Sequence, residues 1–276
     1  MPTRSTLLTG FRRLATLVAV ALLACGQPAA ARCLKNVAAG SPTIHLTRAD
    51  SLAQQRIVSA ATLTFVGHAS FLIETPQGVR VVTDYNGLNG YGLKPDIVTM
   101  NNAHGTHYTD TVEPGVTHVL RGWAAETGDR VHNIELRDLK VWNVPTNARD
   151  DGATRFNGNS IFAFQIGDLC LAHLGHLHHK LTPARLEDLG RIDVLMVPID
   201  GAYTMGQGLI ADVVKQIEPR IVLPMHYWGR HMLDRFLGHL GDSHDVVWPT
   251  SRTMDLTKAG LPVHPLVNVI AGPGGD

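Results

Sequence analysis

The sequence predicts an α/β domain in which two packed β-sheets are flanked by outer helices. Strand signals follow one another closely between residues 61 and 173, and after residue 181 helix and strand signals alternate. Such an order buries its apolar faces by packing sheet on sheet with helices outside. Hydrophobic residues make up 44% of the chain and charged residues 17%, enough for a substantial core and too apolar for disorder.

The elements follow in order. Strands are expected over residues 61–66, 70–74, 79–85 and 97–100, separated by Pro76-Gln77-Gly78 and the glycine-rich stretch 86–92. A second group covers 116–120, 139–143, 160–166 and 169–173, the last two joined by a Gly167-Asp168 turn. Thr182 as cap and Pro183 in the first turn open a helix. A strand at 194–197, a helix at 208–217, a strand at 221–225 and a helix at 231–240 come next, and the segment from Val246 adds a strand.

Residues 1–31 are set aside as a secretory signal. Arg4, Arg12 and Arg13 precede the apolar run 14–24, and Ala29-Ala30-Ala31 offers a small-residue cleavage site. That run is too short to span a bilayer. An alternative is a lipoprotein signal, with an N-terminal lipid anchor on Cys25, and Arg12-Arg13 also permits twin-arginine export. Residues 32–59 form a lead-in and 60–276 the main domain, expected to be secreted or periplasmic. In an oxidising compartment Cys33 and Cys170 can pair; the alternative is a buried Cys170 and a free Cys33. Lys plus Arg equals Asp plus Glu at 24 each, which lacks the basic footprint of a nucleic-acid binder.

Chemistry is expected where histidines gather. The chain holds 15 of them, and neutral imidazole is the commonest metal ligand. His104 and His107 follow the apolar run Ile97-Val98-Thr99-Met100; His173, His176, His178 and His179 follow a second strand; His226 follows Ile221-Val222-Leu223. Three histidine groups at strand ends point to a metal site built from loops on one rim of a sheet.

The order of Phe65-Val66-Gly67-His68-Ala69-Ser70, Val81-Val82-Thr83-Asp84, the 102–107 loop, the 173–179 segment, Val197-Pro198-Ile199-Asp200-Gly201-Ala202-Tyr203-Thr204 and Pro224-Met225-His226-Tyr227 resembles the metallo-β-lactamase superfamily. Its branch of ascorbate-6-phosphate-lactonase-like hydrolases looks nearest. The resemblance covers roughly residues 60–270 and implies a four-layer αββα sandwich with a metal-dependent hydrolase site.

The family loop H-x-H-x-D-H is altered here. Asn102 stands for the first histidine and Thr106 for the aspartate, His176 takes the slot of a bridging aspartate, and Asn147-Ala148 follow Val144-Pro145-Thr146 where a further histidine is expected. The resemblance leaves His104, His107, His176 and His226 as metal ligands. Such a set suits one divalent transition metal, zinc above all, with bound water activated near neutral pH. His68 and His176 are the catalytic candidates, His68 as a group beside the metal. Asp84 is expected to orient a ligand through its other ring nitrogen, with Asn102 and Thr106 also beside the ligands. Tyr203, Tyr227 and His179 are candidate contacts to a small-molecule substrate. His173 reads as a satisfied core histidine, His178 as surface and Asp150-Asp151 as solvated loop. No G-x-S-x-G, phosphate-cradling or dinucleotide motif is present.

The expected activity is hydrolysis of an ester, lactone or phosphoester by metal-activated water. The alternative is a non-catalytic protein that keeps the fold and binds a metal or small ligand.

Overall fold

The computed structural model describes residues 33, 60–124, 130–150 and 152–272. The predicted signal segment, Cys25 and most of the lead-in lie outside the described residues, as does Asp151.

Fourteen strands build two sheets among the described residues. The first has the order β13-β1-β2-β3-β4-β5, with β1 at Ala60–Gly67, β2 at Ser70–Glu74, β3 at Arg80–Val82, β4 at Ile97–Met100, β5 at His118–Arg121 and β13 at Thr253–Thr257. The second runs β12-β14-β11-β10-β9-β8-β7-β6, from β12 at Asp245–Val247 and β14 at Leu266–Asn268 through β11 at Ile221–Met225 and β10 at Val194–Pro198. It continues to β9 at Leu169–His173, β8 at Ala153–Ile166, β7 at Leu139–Asp150 and β6 at Asn133–Leu136.

Side-chain alternation dictates how the sheets face each other. In the first sheet Leu63, Phe65, Phe71, Ile73, Val81 and Ile97 point one way. They meet Val141, Phe162, Phe164, Leu171, Met196 and Leu223 of the second sheet in one core. Each fully buried Phe or Leu contributes about 1.5–3 kcal/mol relative to exposure. The opposite face of the first sheet carries Leu72, Val82, Val98 and Met100 under loop residues Tyr85, Leu93, Tyr108 and Trp123. Helices α1 (Pro183–Leu189), α2 (Gln207–Ile217) and α3 (Arg230–Leu240) belong to the second sheet's side, where Leu189, Val213, Val214 and Phe236 join the main core. The expected sandwich is therefore the observed one, with loops in the outer layer of the first sheet among the described residues.

The local expectations differ from the structure in four places. The strand expected at 79–85 stops at Val82: Thr83 still bonds Phe71 through its amide and hydroxyl, and Asp84, with φ 51°, turns its carboxylate to His107. Strands β7 and β8 reach well beyond 143 and before 160, pairing from Leu139↔Ile166 to Asp150↔Ala153. Polar residues fill that extension, so it carries no apolar signal. Strand β6 was not expected from the sequence, and the tail holds three strands where one was expected. Thr182 caps α1 as expected, accepting from the Arg185 amide at 3.3 Å.

Cys33 and Cys170 form a disulfide with Cα atoms 5.8 Å apart. It ties Cys33 to β9, which delivers the 173–179 histidines to the rim.

Candidate metal centre

Five imidazoles from four chain segments gather at the rim. His68 follows β1, His104 and His107 follow β4, His176 follows β9, and His226 follows β11. Ring centroids lie 4.4 Å apart for His68–His226, 5.1 Å for His107–His226 and 5.3 Å for His68–His107. His176 stands 4.8 Å from His107 and 5.4 Å from His226; His104 stands 5.6 Å from His107 and 5.7 Å from His176. The four imidazoles picked out by the resemblance are among these five rings.

The tightest group is a different triad. His68, His107 and His226 each offer a ligand atom, and these atoms lie within 4.8 Å of one another. His68, expected beside the ligands, contributes a ring nitrogen to this triad, and His104 and His176 lie outside it. The backbone explains why. His226 donates its amide to His68 O at 3.0 Å, which ties two strand ends together. His68 and His226 both adopt left-handed φ, 55° and 56°, as does Asp84. Such conformations cost of order 1 kcal/mol each for a residue with a side chain and cluster at functional sites. Three of the seven such non-glycine residues among those described fall at this one site.

Two buried carboxylates orient the rings. His107 Nδ1 lies 2.5 Å from Asp84 Oδ2, and His226 Nδ1 lies 3.1 Å from Asp200 Oδ1. A carboxylate opposite Nδ1 fixes the hydrogen there and leaves the Nε2 lone pair for an ion. His107 Nε2 and His68 Nε2 are indeed buried without a hydrogen-bond partner. Buried polar atoms are almost always satisfied, so two orphaned ring nitrogens in one cluster fit an ion ligated there. Burial pushes Asp84 up, but the adjoining His107 overrides it and the carboxyl sits below its usual range. Asp200 is pulled below its usual range too: burial opposes, while His226, the Thr204 hydroxyl and the Ala202 amide favour the anion. Burial, then the neighbouring His226 and His107, lowers His68 to about 4, so it is neutral and able to ligate at neutral pH.

The remaining expected residues fall as follows. Asn102 Oδ1 accepts from Arg155 Nη2 at 2.8 Å. Thr106 is exposed, with its hydroxyl 3.1 Å from His104 Nδ1. Both ring nitrogens of His179 are engaged by main chain: Nε2 accepts from Asn147 N at 3.0 Å and Nδ1 lies 2.9 Å from Lys180 O. The Tyr227 hydroxyl donates to Gly272 O and the ring is buried in the core, which is packing where a substrate contact was expected. Tyr203 is 66% exposed and its ring centroid lies 5.8 Å from that of Trp228. His173 donates Nε2–H to Ala69 O at 2.7 Å and accepts from Gly175 N, a satisfied core histidine. His178 does not stand free at the surface: it accepts from Arg149 N and bonds His176 at 2.7 Å.

Two contributors were missed. Asp200 lies 26 residues before His226 and gives no local signal beyond its place at the end of β10. Trp228 is 43% exposed, with its ring 5.1 Å from His226 and 6.0 Å from His68, and lies next to the triad. Its position two residues after a strand-end histidine was the available clue.

Comparison with known proteins bears on the family of the chain. The model of the beta-lactamase superfamily domain matches residues 62–226. A UPF0173 metal-dependent hydrolase of Desulforamulus reducens is 26% identical over 190 residues, 60% of this chain and 83% of that protein. Another, from Pyrococcus horikoshii, is 27% identical over 210 residues, 66% of this chain and 93% of that protein. A Thermotoga maritima protein assigned as a Zn-dependent hydrolase of the metallo-β-lactamase superfamily superposes with a TM-score of 0.55 at 28% identity, over 76% of this chain and 98% of that one. Because the matched segment spans more than half of the chain, and its relatives are named metal-dependent hydrolases, the protein belongs to the metallo-β-lactamase superfamily.

Proposed function

We propose that the protein is a hydrolase that holds one divalent transition-metal ion, zinc, on His68, His107 and His226, and that it cleaves a small-molecule ester, lactone or phosphoester. The observation that carries this is the pair of orphaned Nε2 atoms on His68 and His107 within a triad whose donors lie within 4.8 Å. Three imidazoles are a ligand set for a catalytic zinc with one open position. When bound, the ion supplies Lewis acidity and activates water at neutral pH.

The residues of the chain do the rest. Asp84 and Asp200 hold two rings with Nε2 toward the ion and offset its charge. Asp200 spends both oxygens on His226, Thr204 and neighbouring amides, and Asp84 is fully buried with Oδ2 against His107. His104, exposed and hydrogen-bonded to the Thr106 hydroxyl, is the imidazole with solvent access for taking a proton from water. Trp228 and Tyr203 offer an aromatic wall to the apolar part of a substrate. The Cys33–Cys170 disulfide supports export to an oxidising compartment, the periplasm or outside, as the N-terminal segment implies.

The test is to quantify metal in the purified protein and assay generic esters, lactones and phosphodiesters with and without chelator. Chelator-sensitive turnover of one class is the expected result. Bound metal with no turnover on any of them favours the non-catalytic alternative.

A further inference from the structure

The hydrogen bonds around His176 fix which of its ring nitrogens carries the hydrogen. The Arg149 amide donates to His178 Nδ1. A neutral imidazole has one lone-pair nitrogen and one N–H, so His178 Nε2 bears the hydrogen. That atom lies 2.7 Å from His176 Nδ1, which must accept. The hydrogen of His176 is then on Nε2, and a ring nitrogen bearing hydrogen has no lone pair for an ion. In His107 and His226 the order is reversed: Nδ1 faces a carboxylate and Nε2 keeps its lone pair.

The backbone around His176 is built to hold this ring in place. Its amide donates to Asn159 Oδ1 at 2.8 Å, and Asn159 Nδ2 reaches Thr146 Oγ1 at 2.8 Å. Gly175 has φ 59°, and a Cβ there would lie 2.4 Å from Asn101 Cβ and 2.7 Å from Asn159 Oδ1, so only glycine permits the approach. The ring so placed stands 4.8 Å from His107 and 5.4 Å from His226.

We propose that the Arg149 amide, His178 and His176 form a tautomer-fixing chain that presents His176 Nε2–H as a hydrogen-bond donor beside the three-histidine centre, for an electron-rich substrate oxygen and not for the ion. Its substrate half rests on the hydrolase reading above. Where the resembled segment carries an accepting carboxylate, this chain offers a donor, so the polarity of the position is inverted. A donor fixed before reaction at a site of developing negative charge stabilises it without reorganisation. His178 is a positioning residue in this scheme.

Long-range proton–nitrogen spectra of metal-free protein labelled with nitrogen-15 in histidine distinguish the two kinds of ring nitrogen. The expected result is a hydrogen-bearing Nε2 in His176 and His178, and lone-pair Nε2 in His107 and His226. A lone-pair Nε2 in His176 overturns the inference. Zinc titrations of His176→Ala and His178→Ala follow, against His68→Ala. Affinity is expected to stay within about threefold of wild type in the first two and to fall by at least about 10–100-fold in the third, the scale at which even the loss of a ligand's supporting partner is felt. Loss in His176→Ala equal to that in His68→Ala overturns the donor role and leaves the triad standing. Failure of the wild type to bind zinc overturns the triad instead, and the spectrum still decides the tautomer.

Discussion

Asp84 Oδ2 and His107 Nδ1 lie 2.5 Å apart, with the two side chains 0% and 1% exposed. A carboxylate is costly to bury unless paired. This one is placed against a ring whose other nitrogen has no partner. The contact is therefore an orienting device, and Asp84→Asn keeps the shape while removing the charge. Zinc affinity is expected to fall by about 10–100-fold, measured by competition with a chromophoric chelator. Unchanged affinity would show that Asp84 serves the turn after β3 alone.

The triad makes a ranking among the histidines. On the proposed ligand set, alanine at His107 or His226 removes a ligand and its anchored geometry, so the purified variants should carry less than about a tenth of the wild-type metal. His104→Ala, which alters an exposed ring outside the triad, should retain most of it. Elemental analysis after dialysis gives the order, and equal loss from His104→Ala would restore His104 to the ligand set.

Acid should destabilise the metal-free protein through its histidines. Burial lowers His68 and His178 to about 4 and His176 to about 2, from a usual 6.5. The unfolded chain protonates these rings near pH 6.5, so between about pH 4 and 6.5 it binds more protons than the folded chain. Stability therefore rises with pH across that window and falls as the solution is acidified through it. Asp84 and Asp200, held below the usual carboxylate range, add stability that is lost only at lower pH. Urea unfolding at several pH values across the window checks this, and a constant midpoint would contradict it.

The disulfide closes 137 residues. Cys170→Ser should cost about 2–5 kcal/mol of stability on the loop-entropy scale, with a small change in zinc affinity. Denaturant unfolding with and without a reducing agent should show the same loss in the wild type.

Trp228 offers an optical readout, because its ring is 5.1 Å from that of His226. Adding Co(II) should quench tryptophan fluorescence, and Trp228→Phe should remove most of that quenching. Equal quenching in the variant would place the ion elsewhere.

Much of this arrangement was legible in the chain. The apolar runs 97–100, 169–173 and 221–225 are strands to the residue, because fully buried strands read as continuous apolar segments. The histidines that follow them converge because those strands end at one rim. The long β7–β8 hairpin was hidden, since Asn147, Arg149, Arg155 and Asn157 carry its far end and owe their strand geometry to the ladder. The place of His68 in the triad was hidden too. Its place depends on the irregular β1–β2 register between Phe65 and Gly67 and on a main-chain bond to His226, both non-local. Asp200 was hidden because its role exists only once β10 and β11 lie side by side, with Pro198 opposite Met225.

The most direct measurement is an anomalous difference map of zinc-loaded crystals collected across the zinc edge. One peak per chain is predicted, with the Nε2 atoms of His107 and His226 and a ring nitrogen of His68 at about 2.0–2.1 Å. Two peaks, or a single peak whose ligands include His176 or omit His68, would contradict the account.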